Sequence, residues 1–124
     1  MPVLPFFEIL PDRAEYRPVA KVTLSEAVEI VTAGINHARE HHQRNLLLDL
    51  TGLTGFESPS LGQRFFFIQE WARAARAYVR VAMVARAEMI DPQKFGITVA
   101  ANNRQTFDVF ASKDEALAWM RSLP

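Results

Sequence analysis

The chain contains no cysteine. That absence excludes a disulfide framework, a thiolate nucleophile and any cysteine-ligated metal, and it favours a cytoplasmic setting. Net charge is missing too: fourteen basic and fourteen acidic side chains cancel, so no global field draws the protein toward nucleic acid or an anionic bilayer. No apolar run approaches the roughly eighteen residues that a spanning helix needs, which argues against a membrane span. The opening stretch MPVLPFFEILPDR has neither the basic start nor the long apolar segment of a secretory signal. There is no G-x-x-x-x-G-K-[ST] phosphate loop, and no motif calls for a cofactor.

What is present is an ordinary globular balance, 124 residues of which 49% are hydrophobic and 23% charged. That length suits a single domain, 1–124, with one core. Phe6 to Leu10 and Glu15 to Val22 read as two strands forming a hairpin, with Pro18 suggesting an unpaired edge nearby. Thr23 and Glu26 form a T-x-x-E capping box that opens a helix running to about His42. Its buried stripe is Leu24, Ala27, Val28, Val31, Ile35 and Ala38, with Gly34 as a weak point.

Asn45 to Leu50, NLLLDL, is too short and too apolar for anything but a strand covered on both faces, the expected sheet centre. Leu61 to Tyr78 carries helical spacing, and Val79 to Ala85 returns to strand character. Asp91 and Pro92 look like the cap and first residue of a short helix reaching about Ala101. Thr106 to Ala111 alternates as a last strand, and Ser112 with Glu115 caps a final helix. The order β-β-α-β-α-β-α-β-α predicts an α/β fold, a mixed sheet of about five strands packed against helices.

One loop joins these elements with a pattern of its own: Asp49-Leu50-Thr51-Gly52-Leu53-Thr54, followed by Glu57-Ser58-Pro59-Ser60-Leu61-Gly62. It resembles the STAS family, the sulfate-transporter and anti-sigma-factor-antagonist domains, in which a central strand ends in D-L-S-G and a loop reading roughly D-S-S-G-L-G starts the next helix. The stretch DPQKFGITVAANN and the closing EALAWM are similar to the SpoIIAA-like branch of small bacterial stand-alone domains. The resemblance implies a cytoplasmic regulatory module that binds another protein or a second copy of itself. By position it places Asp49 at the strand-end acid, Glu57 at the loop acid, Ser58 at the first loop serine and Pro59 at the usual phosphoacceptor. With no hydroxyl on Pro59, Ser58 and Ser60 are the remaining candidates for phosphorylation. From the residues alone Ser58 reads as a helix N-cap with Pro59 as the first helical residue.

The helix after this loop, RFFFIQEWARAARAY, carries more rings than one sheet-facing stripe needs. At about 100° per residue Leu61, Phe65, Ile68, Ala72 and Ala75 fall together as the core face. Phe67, Trp71, Ala74 and Tyr78 form a second stripe, roughly 110° away, and Phe66 lies among Glu70 and Arg73. Ser58, Ser60, Phe66, Phe67, Trp71 and Tyr78 are therefore the candidate partner or ligand surface. The bland alternative is that a neighbouring helix covers the second stripe.

Two other patterns weigh less. His37-Ala38-Arg39-Glu40-His41 matches H-x-x-E-H, a zinc-binding spacing, but at a helix end with no third ligand in sight. Arg64, Arg73, Arg76, Arg80 and Arg86 are interleaved with aromatics but project to different sides. Asp49 and Glu57 as an acid and base pair would lack a nucleophile. The function expected is thus a non-catalytic regulatory or protein-interaction module. The alternatives are a domain binding a lipid or other small apolar molecule and, less favoured, an enzyme.

Overall fold

The computed structural model describes residues 4–91, 94, 101 and 104–124. The architecture is α/β. Three strands open it, β1 (Phe7–Ile9), β2 (Ala14–Tyr16) and β3 (Ala20–Lys21), followed by helix α1 (Leu24–Glu40), β4 (Asn45–Asp49) and β5 (Leu53–Thr54). Then come helix α2 (Leu61–Ala75), β6 (Arg80–Val84), a short 3-10 turn (Ala87–Met89), β7 (Phe107–Phe110) and helix α3 (Lys113–Ser122). The main sheet has the order β1-β2-β4-β6-β7, antiparallel between β1 and β2 and parallel elsewhere. The helix expected over Pro92 to Ala101 falls outside the described residues, apart from Lys94 and Ala101.

Strand β4 occupies the centre of the sheet, as its leucines require. Leu46, Leu47 and Leu48 are all 0% exposed. Alternation along the strand sends Leu46 and Leu48 into a large cluster with Tyr16, Val31, Ile35, Ile68 and Val81. Leu47 points the other way, into a smaller cluster with Ala82, Val84, Ala116 and Met120. Helices α1 and α2 cover the first face and α3 the second.

The predicted capping box of α1 is present: the Thr23 hydroxyl accepts the Glu26 N–H at 3.2 Å, and the Glu26 carboxylate accepts the Thr23 N–H at 3.0 Å. The helix stops at Glu40, short of the expected His42, because His42 takes a left-handed backbone with φ 58°. The second predicted strand is split. Proline cannot donate a ladder hydrogen bond, and after Pro18 the chain leaves the main sheet to pair as β3 with β5, through Ala20 N–H to Gly52 O at 3.2 Å and Val22 N–H to Thr54 O at 2.8 Å. Gly52 permits this approach, since a Cβ there would lie 2.8 Å from the Pro18 carbonyl oxygen.

Two buried features escaped the sequence reading. Gly34 is less a weak point than a seat: a Cβ at this position would lie 2.3 Å from the Tyr16 ring, so the missing side chain lets α1 settle onto β2. Glu15, on the face opposite Tyr16, is 2% exposed and bonded by Arg13 at 2.7 Å and Lys113 at 3.1 Å. Burial alone would raise its carboxyl, but the hydrogen bonds and charges of Arg13 and Lys113 outweigh that and hold it below the usual carboxylate range. Lys113 is the first residue of α3, so this pair ties α3 to the sheet.

Gly34→Ala should destabilise the fold by about 1–3 kcal/mol in urea unfolding, although alanine is the better helix former, because the Tyr16 ring is buried and has to move. Glu15→Ala, which leaves Arg13 and Lys113 without their shared anion, should lower unfolding free energy by about 3 kcal/mol. The contribution from Glu15 is held above the ordinary carboxylate pKa and lost as pH falls through its lowered folded value, so the gap between wild type and variant should narrow in acid.

Candidate functional site

The quoted loop is built largely by its own side chains. The Asp49 carboxylate accepts the Thr51 N–H at 3.0 Å and the Thr51 hydroxyl at 2.7 Å, closing a turn at the end of β4. The N-cap of α2 is Ser60, not Ser58: the Ser60 hydroxyl accepts the Gln63 N–H at 3.2 Å, and the Gln63 side chain accepts the Ser60 N–H at 2.8 Å. That reciprocal pair satisfies two terminal donors, which explains why the helix starts two residues later than the Ser-Pro signal indicates. Ser58 and Pro59 serve Arg64 instead, whose Nη2 donates to the Ser58 hydroxyl at 2.8 Å and whose Nε donates to the Pro59 carbonyl at 3.1 Å. Ser58, Ser60 and Glu57 are all exposed.

The rings of α2 are distributed differently from the helical projection. Leu61 and Phe65, assigned to the core, are 54% and 40% exposed, and Phe66 is 67% exposed. Phe67, Trp71 and Tyr78, the second stripe, are half-buried. The physical reason is α1, which lies beside α2: Arg39 donates to the Ala74 carbonyl at 2.6 Å, and Trp71, Ala74 and Tyr78 pack against the main cluster. Tyr78 closes the far end, its hydroxyl donating to the His42 carbonyl at 3.0 Å while the Arg44 guanidinium lies 5.7 Å from its ring centre.

Between the N-terminal halves of α1 and α2 lies a cavity of about 120 Å³. Leu24, Ala27, Val28 and Val31 line it from α1, and Arg64, Phe67, Ile68 and Trp71 from α2. Its floor is Met83, Phe107 and Val109; Leu50, Leu53, Phe56 and Pro59 close the side toward the loop. Polar groups gather where Arg86, Asp91 and Lys94 reach it, just beyond the end of β6. Phe67 and Trp71 stack obliquely within this wall, ring centres 6.1 Å apart.

Two donors near this wall stand out. Among the described residues the Trp71 indole N–H has no acceptor, but it is sealed from water and so turned away from the open hollow; Trp71 shares a separate small gap with Gln105, whose Oε1 is likewise unpaired. Arg64 is held only by the neutral oxygens of Ser58 and Pro59. Lys94 and Arg86, by contrast, have carboxylates at 3.0 Å (Asp108) and 3.6 Å (Glu88). The cavity could not be read from sequence, because spacing does not reveal how α1 lies against α2; the surplus of rings was the available signal.

The histidines stand apart from the cavity, on the last turn of α1. The His37 ring meets Phe7 edge-on at 4.5 Å and lies 4.1 Å from His41, whose Nδ1 is 2.9 Å from the His37 carbonyl oxygen. Among the described residues no group of three or more potential ligands is placed to hold a metal ion, and no helix is long and apolar enough to cross a membrane.

Neither a family model nor a curated protein matches the chain. Among solved structures it is similar to one described as the NMR structure of the protein TM1081, with 14% identity over 99% of this chain and 92% of that one and a TM-score of 0.50. A likeness at that identity is one of fold alone.

Burial, and then the neighbouring His41, lower the His37 pKa below its ordinary value. The neutral ring is therefore favoured in the folded chain, so stability is fully present above the unfolded value near 6.5 and is lost as pH falls through it. The melting temperature should drop between about pH 7.5 and 5.5, and His37→Gln should flatten that slope, read by thermal denaturation at fixed ionic strength.

Proposed function

We propose that this chain is a non-catalytic binding domain whose site is the apolar cavity between α1 and α2, and whose ligand is a small, largely apolar molecule. The observation that carries this reading is the placement of Phe67 and Trp71. The rings in excess of the core's needs line a hollow of about 120 Å³, close to the size at which an apolar cavity admits a benzene-sized guest. Its position supports the reading by analogy, since Leu50, Ala85 and Arg86 lie just past the carboxyl ends of β4 and β6, where open α/β sheets commonly hold ligands. Its walls are apolar with a few polar groups to one side, the composition of a small-molecule site.

A second reading, a STAS-like regulatory module that binds another protein or a second copy of itself, draws support from Leu61, Phe65 and Phe66. These three stand exposed on the first turns of α2, beside the loop that carries the resemblance. Pro59 leaves that module without the usual phosphoacceptor.

Titration with 1-octanol, followed by methyl NMR and calorimetry, separates the two. Shifts should concentrate on Val28, Val31, Leu53 and Met83, and Val28→Phe, which fills the hollow from α1, should weaken binding at least roughly tenfold while the far-ultraviolet circular dichroism stays that of the wild type. Perturbation confined to Leu61, Phe65 and Phe66, with Val28→Phe indifferent, would overturn the cavity reading in favour of the exposed surface.

A further inference from the structure

Not all of the cavity wall is apolar, and its polar groups are unequal. Its lining carries three cationic side chains, Arg64, Arg86 and Lys94, against one carboxylate, Asp91. Lys94 already has Asp108 at 3.0 Å and Arg86 has Glu88 at 3.6 Å. Arg64 has no carboxylate: the Ser58 hydroxyl and the Pro59 carbonyl occupy its Nη2 and Nε and hold the guanidinium in place without neutralising it. A guanidinium fixed by neutral oxygens at the border of an apolar hollow is prepared for an anion, to which it can present its remaining N–H groups.

The wall extends along α2 from Arg64 to the ring of Trp71. Arg64 and Trp71 are seven residues apart, two turns of the same helix, so both belong to the side of α2 that faces the hollow. Their separation along the axis is roughly 10 Å. Between them the wall is Phe67 and Ile68 on α2, faced by Val28 and Val31 on α1.

We propose that the ligand is a medium-length amphiphilic carboxylic acid, its carboxylate on Arg64 and its apolar body running inward along Phe67 toward Trp71. This rests on the cavity reading above and adds the sign and place of the ligand's charge. The proposal needs no covalent step. Arg64 is the residue that selects acid over alcohol, and Ser58 and Pro59 are positioning groups that act through it.

Calorimetry with octanoate, 1-octanol and octylammonium on the whole chain tests it. Octanoate should bind roughly tenfold tighter than 1-octanol and octylammonium weakest, and the octanoate advantage should shrink as salt is raised while 1-octanol is unaffected. Arg64→Gln should reduce octanoate to the affinity of 1-octanol and leave 1-octanol unchanged, whereas Arg64→Lys should retain part of the preference. Equal binding of octanoate and 1-octanol to the wild type, at low salt, would sink this inference and leave the cavity reading standing. If none of the three binds, both fail. The comparison among ligands on the wild-type chain holds even if a variant folds poorly.

Discussion

The structure depends on three consecutive leucines that water never reaches. Leu46, Leu47 and Leu48 alternate across β4 and are each fully buried, so the strand needs cover on both faces, each side chain contributing roughly 2 kcal/mol of burial. One face is met by two helices, the other by α3 alone. The thinner face is where Glu15 is enclosed, and the ion pair with Lys113 fixes the N-terminal turn of the ten-residue α3. The thicker face has two helices and a sheet to reconcile, and the hollow forms there.

How the two helices share that face follows from where they are fastened. Their C-terminal halves are held closely: Tyr16 lies over Gly34, Arg39 reaches the Ala74 carbonyl, and Tyr78 reaches the His42 carbonyl. The N-terminal halves have no comparable bond between them, and the hollow occupies the space between Leu24 to Val31 and Arg64 to Trp71. The loop from Asp49 to Ser60 closes one side, and its side chains are engaged locally, Asp49 with Thr51, Ser58 with Arg64 and Ser60 with Gln63. The motif that raised the question of regulation thus also shapes one wall of the cavity, through Leu50, Leu53, Phe56 and Pro59.

Where local periodicity and burial agreed, the sequence was legible. NLLLDL read as a doubly covered strand, and T-x-x-E announced the first residue of α1. Signals that required a partner distant in sequence were lost. Pro18 marked a break without saying that Ala20 and Lys21 would pair with Leu53 and Thr54. Ser58-Pro59 is a good cap by composition but was outcompeted by the reciprocal Ser60–Gln63 pair. The wheel of α2 gave Phe65 to the core and Phe67 and Trp71 to a second stripe, because spacing alone does not say what lies beside a helix. A second helix moves the buried arc toward itself, which trades Phe65 for Trp71.

The apolar hollow bears on how α2 packs. Around its volume of about 120 Å³, which is open to solvent on one side, the wall residues forgo part of the contact that a packed interior gives. Repacking would remove the hollow, yet Phe65 and Phe66, which carry the volume to do so, are turned outward by the helical register that places Ile68 and Ala72 on the sheet. Rotating α2 to bring them in would expose Ile68 and break the Arg39 to Ala74 bond. The fold therefore holds the space open by construction. A guest that entered it would return part of the missing contact and raise the stability of the chain by mass action.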